Sequence, residues 1–232
     1  MPVAIITGAS KGLGRALAGA LAGRGWDLVL DARSPGPLAV SAAAVAAYGT
    51  RVEALPGDVT DAGHRGALVA AARRLGGLDL VVSNASALGA EPLVRLARLP
   101  LEGLRRALEV NVVAALGLVQ EALPLLRESA VGAVITVSSD AAAEAYGTWG
   151  GYGASKAALD QLAAVLGVEE PGLRVWAVDP GDMATDLYAA AVPDDDGPRP
   201  APDGVVPAFL CLLDERPASG RYGAPALVGG RR

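Results

Sequence analysis

The chain has few of the side chains that bind metals or form disulfides. Its 232 residues include one cysteine, one histidine and only 4% aromatic residues. The single cysteine, Cys211, excludes an internal disulfide and a cysteine-rich zinc site, and the single histidine, His64, excludes a multi-histidine metal site. We place Cys211 in the core and expect His64 to be solvated. We expect no metal, so any redox chemistry must come from a bound organic cofactor.

Clustered positive charge and long apolar runs are also missing. The formal net charge is -5 at pH 7, and the arginines are scattered along the sequence, which argues against a nucleic-acid or anionic-membrane surface. No basic leader precedes the first apolar segment, and no apolar run reaches the ~18 residues of a membrane span. We therefore expect a cytoplasmic protein with no nucleic-acid or membrane partner that acts on a small molecule.

Short apolar runs alternate with longer helical patterns along the whole chain. Such alternation predicts an α/β fold: a doubly wound parallel sheet of about seven strands with helices on both faces, formed by one domain over 1–232. The final strand is expected at 224–228. The predicted strands are 3–7, 27–32, 51–57, 78–83, 132–138 and 173–178, and the predicted helices are 12–24, 37–48, 61–75, 100–126, 152–167 and 202–214.

One segment, 186–203, interrupts this alternation. It has three consecutive aspartates among four prolines, a composition that disfavours both helix and strand and predicts a loop. It follows the carboxyl end of a predicted strand, where ligands bind in open α/β sheets, so it is a candidate mobile substrate lid. The alternative is a solvated loop with no role.

The first predicted strand leads into a glycine-rich turn. Gly8, Gly12 and Gly14 lie between this strand and a helical pattern that begins at Arg15. Glycines let a backbone turn sharply and approach a pyrophosphate, and the positive end of the following helix favours its charge. The turn therefore predicts a dinucleotide site.

A second group of residues follows the fifth predicted strand. Tyr152 and Lys156 are four residues apart at the start of a helical pattern and share one helix face, and Ser139 lies thirteen residues before Tyr152. A tyrosine with a pKa of about 10 needs a nearby positive charge for acid–base work near neutrality. Lys156 can supply it, and Lys11 is the only other lysine of the chain.

Together the glycine turn, Ser139, Tyr152 and Lys156 resemble the standard-length branch of the short-chain dehydrogenase/reductase family, over nearly the whole chain. The resemblance implies a Rossmann-type fold and an NAD(P)-dependent enzyme that transfers a hydride between the nicotinamide and a carbonyl or alcohol substrate. It implies that Tyr152 is the general acid/base and that Ser139 orients the carbonyl. It further implies that Lys156 binds the nicotinamide ribose and lowers the tyrosine pKa, and that Asn111 holds a relay water.

The same resemblance implies the cofactor contacts. Asp58 and Val59 are expected at the adenine, Asn84 and Ala85 beside the cofactor, and Thr185 at the carboxamide. The full set expected to bind the cofactor is Gly8, Ser10, Lys11, Gly12, Leu13, Gly14, Arg33, Asp58, Val59, Asn84, Ala85, Tyr152, Lys156, Pro180, Gly181 and Thr185.

Two positions depart from the family pattern. The sequence Ser83-Asn84-Ala85-Ser86 stands where the family usually has Asn-Asn-Ala-Gly, and Asp182 places a carboxylate after the Pro-Gly turn. Asp182 could shape the substrate pocket or cap the next helical turn, and we favour the cap.

The end of the second strand decides between the two dinucleotides. A carboxylate there prefers the ribose hydroxyl of NAD, whereas a guanidinium prefers the 2′-phosphate of NADP. By the family register Ala32 replaces the acidic residue of NAD users, and Arg33 matches the basic position of NADP users. Lys11 adds positive charge nearby. We therefore favour NADP(H) over NAD(H).

The substrate and the assembly are less sharply indicated. Glu144, Tyr146, Trp149, Met183 and Tyr188 are candidate pocket walls for a modest apolar carbonyl compound, although Tyr146 and Trp149 could equally be packing residues. The apolar helix at 112–126 favours a homodimer or homotetramer. The alternative function is a non-catalytic dinucleotide-binding sensor or interaction protein that retains the fold.

Overall fold

In the computed structural model, which describes residues 1–229, one sheet of seven parallel strands forms the centre of the protein. Their order across the sheet is β3-β2-β1-β4-β5-β6-β7, which confirms the predicted doubly wound parallel architecture. The strands are β1 (Val3–Ile6), β2 (Asp27–Ala32), β3 (Val52–Pro56), β4 (Leu80–Ser83), β5 (Ala133–Val137), β6 (Arg174–Asp179) and β7 (Gly220–Gly223).

Helices cover both faces of the sheet and enclose two apolar cores. Residues of β1, β2 and β4 alternate between these cores, because successive side chains of a strand point to opposite faces. The helices are α1 (Gly12–Ala22), α2 (Pro35–Ala46), α3 (Ala62–Leu75), α4 (Leu101–Leu108), α5 (Ala114–Glu128), α6 (Gly150–Glu169), α7 (Asp186–Ala191), α8 (Val206–Glu215) and α9 (Ala224–Gly229). Cys211 on α8 is buried, as predicted.

Strands β2 and β3 lie on one side of β1, whereas β4 and the later strands lie on the other side. β1 pairs with β2 on one side and with β4 on the other, so the connections after these two strands leave toward opposite edges. They separate at the carboxyl ends of the strands and leave a crevice there, where open α/β sheets bind ligands.

Two element assignments at the end of the chain differ from the sequence prediction. The seventh strand is Gly220–Gly223, and the segment predicted as that strand, 224–228, lies in α9. β7 pairs with the last four residues of β6, ending at the Asp179–Gly223 pair, so the next residues have no strand partner. The loop predicted at 186–203 begins with α7, because the helix formers Leu187 to Ala191 precede the first proline of the segment.

The run from Leu101 to Glu128 is one helix of 28 residues, in which α4 and α5 are joined by a π-helical turn at Glu109–Val113. By length and composition alone it would be able to cross a membrane. Buried core helices pass the same test, and Leu118, Ala122 and Leu126 of this helix pack into the core beneath the sheet.

Two carboxylates, one of them buried, hold the amino ends of the strands in place. Asp27 at the start of β2 is fully buried and accepts hydrogen bonds from the backbone N–H of Arg51 at 2.7 Å and from its Nε at 2.9 Å. Asp79 accepts a bond from the backbone N–H of Val3 at 2.8 Å. Burial raises the pKa of Asp27, but the bonds and charge of Arg51 outweigh burial and lower the pKa below its ordinary value.

We expect Asp27→Ala to lower the free energy of unfolding by about 2 kcal/mol, because the backbone N–H and the guanidinium of Arg51 would lose their charged acceptor. The loss should be present at pH 7 and shrink below pH 4, since a carboxylate with a lowered pKa stabilises the fold only while it is ionised. Urea unfolding at several pH values measures both effects. Glu102→Ala removes an exposed ion pair with Arg105 and should change stability by less than about 0.5 kcal/mol. Equal losses in the two variants would contradict the role of Asp27.

Candidate active site

A cleft of about 540 Å³ opens at the carboxyl ends of the strands. It extends from the end of β2, past the glycine turn and the ends of β4 and β5, to α7. All the site residues predicted from the sequence line this cleft, except Gly14 and Asn111. The fold thus brings residues from Gly8 to Thr185 to one crevice.

Close packing holds the glycine turn against the end of β4. Asn84 donates from Nδ2 to the backbone carbonyl of Thr7 at 2.8 Å, and the Thr7 hydroxyl accepts the backbone N–H groups of Asn84 and Ala85, each at 3.0 Å. A Cβ at Gly14 would lie 2.5 Å from the Gly8 carbonyl oxygen, and Gly8 has a φ of +65°. Gly14 therefore lies behind the cleft and allows the turn to fold closely.

The middle of the turn contacts the start of α7. Lys11 forms a 2.7 Å salt bridge from Nζ to Asp186, and both side chains are exposed. A Cβ at Gly12 would lie 3.5 Å from the methyl group of Thr185, which caps α7 by accepting the N–H of Tyr188 at 3.2 Å. The cap predicted for Asp182 is thus supplied by Thr185, and Asp182 lines the cleft instead.

The end of β2 presents an exposed arginine and a buried aspartate. Arg33 lines the cleft and forms no salt bridge with any residue among 1–229. Asp31 is only 1% exposed and lies 2.6 Å from Nε2 of His64. The prediction that His64 is solvated is therefore wrong, because the tertiary fold buries it against Asp31. Burial raises the pKa of Asp31, and His64 opposes this rise.

Asp58, predicted at the adenine, is held by three donors. It accepts bonds from the backbone N–H of Thr60 at 3.0 Å, from the Thr60 hydroxyl at 2.8 Å and from Arg106 at 2.8 Å. Burial raises the pKa of Asp58, but these bonds outweigh it and lower the pKa to about 2. Asp58 is therefore an anion at neutral pH. Arg106, on α4, could not be assigned to this site from the sequence, because only the fold brings it to Asp58.

Tyr152 and Lys156 lie on the buried face of α6, as their spacing predicts. The Lys156 ammonium lies 5.5 Å from the centre of the Tyr152 ring and donates a 2.7 Å bond to the carbonyl of Val137. Burial lowers the pKa of Lys156 to about 8, which nearby Asp160 partly opposes. Burial raises the pKa of Tyr152 to about 12, and although a hydrogen bond with Ser86 favours the phenolate, Asp140 adds to the rise. Lys156 is not among the groups that lower the pKa of Tyr152 in this structure, contrary to the expectation from the family resemblance.

Ser139 lies in the cleft at the end of β5. Its hydroxyl donates to Asp140 at 3.0 Å and accepts the backbone N–H of Ala141 at 3.2 Å, so it caps a 3₁₀ turn at Asp140–Ala142. To donate to a substrate oxygen, the hydroxyl must turn its proton away from the Asp140 carboxylate.

Asn111 lies in the π-helical turn and is 1% exposed. Its Nδ2 donates to the Ala87 carbonyl at 2.9 Å and to the Ser155 hydroxyl at 2.8 Å, and its Oδ1 accepts bonds from the N–H of Ala87 at 2.8 Å and from Ser86 at 3.3 Å. These four bonds use the full capacity of the amide. The side chain therefore fixes residues 86–87 against α6, and a relay water would have to bind elsewhere, such as at the backbone carbonyl.

The outer end of the cleft contains most of the candidate pocket walls. The cleft is lined there by Tyr146, Trp149, Met183 and Tyr188. Glu144 does not line the cleft; it accepts a 2.7 Å hydrogen bond from the Tyr146 hydroxyl. The Trp149 ring lies 5.7 Å from the Tyr152 ring, centre to centre.

A polar network beneath the cleft escaped the sequence prediction. Ser138 donates to Asp160 at 2.7 Å, and Arg221 of β7 donates to the same carboxylate at 3.0 Å and to the Ser139 carbonyl at 2.9 Å. Arg221 also lies 3.4 Å from Asp179. These residues come from four separate elements, and no local motif connects them.

The cleft fits a nicotinamide dinucleotide. The glycines at the turn leave room for a pyrophosphate at the amino end of α1, and the sequence supplies no side chain cap there. The unpaired Arg33 lies at the end of β2, and the ionised Asp58 faces the same part of the cleft.

Comparisons with known proteins agree with this geometry. Residues 2–196 match the family model for short chain dehydrogenase. The chain is 35% identical to an uncharacterized oxidoreductase of Saccharomyces cerevisiae over 188 residues, covering 80% of this chain and 72% of the relative. It is 32% identical to the L-fucose dehydrogenase of Rattus norvegicus over 234 residues, covering 98% of this chain and 80% of the relative.

Among solved structures, the fold is similar to that of an alcohol dehydrogenase from the archaeon Thermococcus sibiricus complexed with 5-hydroxy-NADP. The TM-score is 0.86 at 29% identity, with 96% of this chain and 95% of the other covered. The family match and the similar fold lead to one conclusion: this chain belongs to the short-chain dehydrogenase family of oxidoreductases.

Proposed function

We propose that the protein is an NADP(H)-preferring oxidoreductase that interconverts a carbonyl compound and its alcohol, with Tyr152 as the general acid/base. The observation that carries this proposal is the placement of Tyr152, Ser139 and Lys156 at one end of a dinucleotide-shaped cleft. When bound, the nicotinamide would supply the hydride for reduction of the carbonyl carbon, whose oxygen gains a proton as the cofactor is oxidised, and would accept the hydride in the reverse direction.

The protein's own residues handle the proton and the substrate oxygen. The phenolic oxygen of Tyr152 gives a proton to the carbonyl oxygen in the reductive direction and removes it in the other. Burial raises the pKa of Tyr152 to about 12, which keeps it protonated at neutral pH. Because a donor works best with a pKa near the operating pH, donation requires a nearby positive charge that lowers the pKa of Tyr152. Ser139 turns its hydroxyl from Asp140 to the same substrate oxygen and holds it in place as charge develops.

Lys156 supports this chemistry from below the cleft. Its ammonium is held by the Val137 carbonyl, and a cation at this place favours the phenolate that remains after proton donation. Asn111 positions Ser86 next to Tyr152, and its backbone carbonyl is our candidate for a relay water that resupplies the proton. Pro180, Gly181 and Thr185 border the nicotinamide end of the cleft.

Two features support NADP(H) over NAD(H). Arg33 is exposed and has no carboxylate partner among the described residues, so its guanidinium is available to a 2′-phosphate. Asp31, the carboxylate that would favour a ribose hydroxyl, is occupied by His64. A homodimer or homotetramer remains a prediction.

We expect Tyr152→Phe to lower kcat at least about 100-fold in a screen of aldehydes and ketones with NADPH, because general acid catalysis contributes roughly that much. Cofactor binding, measured by fluorescence titration, should persist. Tyr48→Phe, which alters an exposed tyrosine outside this cleft, is the control and should retain full turnover. Cofactor binding without any Tyr152-dependent turnover would favour the non-catalytic sensor.

We expect Arg33→Ala to weaken NADPH binding about tenfold and to leave NADH binding unchanged, since only the 2′-phosphate needs the guanidinium. Titration of wild type and variant with both cofactors measures this. Arg98→Ala, on an exposed position away from the cleft, is the matched control. Unchanged NADPH affinity in Arg33→Ala, or tighter NADH binding by the wild type, would overturn the preference.

We expect the buried charge of Lys156 to destabilise the cofactor-free protein. With a pKa of about 8 in the folded state and 10.5 in the unfolded state, folding expels its proton between these values, so stability rises with pH across this window. Relative to Lys156→Met, the wild type should gain on the order of 3 kcal/mol between pH 8 and 10.5. Urea unfolding measures this.

The exposed lysine provides the control for this measurement. Lys11→Met should follow the wild type across the same pH range, because Lys11 is solvated. If Lys156→Met also follows the wild type from pH 8 to 10.5, the ammonium is not penalised by burial.

A further inference from the structure

Aromatic rings are concentrated where the substrate must bind. The protein has three tryptophans, five tyrosines and one phenylalanine, and four of these line the cleft: Tyr146, Trp149, Tyr152 and Tyr188. Trp149 contacts Tyr152 edge to face at 5.7 Å and the Tyr188 ring at 6.2 Å. The rings come from the start of α6 and from α7, so two separate elements build one aromatic wall. Aromatic faces attract cations, above all quaternary ammonium groups.

Carboxylates line the same end of the cleft. Asp182 follows the Pro-Gly turn and Asp140 follows Ser139. Burial raises the pKa of Asp182, the negative charge of Asp140 raises it further, and the positive charge of Arg199 opposes the rise. The balance leaves the pKa of Asp182 above its ordinary value. A cation bound between the two carboxylates would relieve their repulsion.

The positive side chains of the cleft are engaged elsewhere or lie at its other end. Arg33 lies beyond β2, Lys156 is buried against the Val137 carbonyl, Lys11 pairs with Asp186, and Arg106 pairs with Asp58. Arg199 does not line the cleft: its guanidinium stacks 3.9 Å from the centre of the Tyr188 ring and is bound by Asp195. The Tyr188 ring thus already packs against the Arg199 guanidinium, whose charge Asp195 offsets. Asp182 lines the cleft and forms no salt bridge with any residue among 1–229.

We propose that the substrate carries a positively charged ammonium group close to its reacting carbonyl or alcohol carbon, seated against Trp149 and Tyr188 with Asp182 as counter-charge. This inference rests on the proposed function, because it names the substrate class of the same site. Because the Trp149 and Tyr152 rings are 5.7 Å apart, an ammonium against Trp149 would lie close to the phenol that exchanges the proton. This substrate class differs from the modest apolar carbonyl compound that the candidate pocket walls suggested from the sequence.

Two aldehydes of equal shape test this charge preference. Trimethylammonioacetaldehyde has a fixed positive charge, and 3,3-dimethylbutanal has carbon in place of the nitrogen. With NADPH and the full-length protein, we expect kcat/KM to favour the charged aldehyde at least about tenfold. Asp182→Asn and Tyr188→Leu should each reduce this ratio several-fold. Asp214→Asn makes the same charge change outside the cleft, where Asp214 pairs with Arg24, and should leave the ratio as it is in the wild type.

Opposite outcomes overturn the inference. An equal or higher kcat/KM for the neutral aldehyde would overturn the ammonium preference. If Tyr152→Phe abolishes turnover of that neutral aldehyde, the proposed function still holds. An equal loss for both aldehydes in Asp182→Asn would assign this carboxylate to the cofactor instead.

If neither aldehyde is reduced, the proposed function loses support, and binding still decides the inference. Choline and 3,3-dimethylbutan-1-ol, the corresponding alcohols, are then titrated calorimetrically into the protein with NADP⁺. Tighter binding of choline supports the ammonium site, whereas equal or weaker binding of choline overturns it.

Discussion

The cleft depends on the close contact between the turn after β1 and the end of β4. The Asn84 amide and the Thr7 hydroxyl join these two neighbouring strands at the point where their connections diverge. The contact requires glycine at positions 8 and 14, since a Cβ at either would collide with the backbone or with Asn84. With this contact in place, the turn lies beside the crevice and the amino end of α1 faces it. Arg33 and Tyr152 are then placed at opposite ends of one continuous space.

Burial of ionisable groups is the cost of the site's chemistry. Lys156 and Tyr152 are almost fully buried, and burial shifts the pKa of each toward the neutral form. Hydrogen bonds to backbone groups, such as the one from Lys156 to Val137, hold these side chains in position without neutralising them. A protein optimised only for stability would place apolar groups here. Packing alone therefore does not account for the buried ammonium.

The two ends of the cleft differ in charge. The end beside the glycine turn has the Arg33 guanidinium, which forms no salt bridge among residues 1–229, whereas the other end has carboxylates and aromatic rings. The segment 186–203 contacts both ends: Asp186 pairs with Lys11 of the glycine turn, and the Tyr188 ring lies against Trp149. Thr185 caps the first turn of α7, which holds both residues in place.

Local sequence determined the strands and helices, the glycine turn and the spacing of Ser139, Tyr152 and Lys156, because periodicity, turn chemistry and helix geometry act within a few residues. Local sequence could not predict three pairs, Asp31 with His64, Asp58 with Arg106 and Asp160 with Arg221. The partners are 33, 48 and 61 residues apart in the chain. Local sequence also misplaced the last strand, whose position is decided by pairing with β6. The sequence thus determined the spacing of the candidate site residues. Tertiary packing decided which of them are buried, paired or charged, because burial and pairing depend on partners that are distant in sequence.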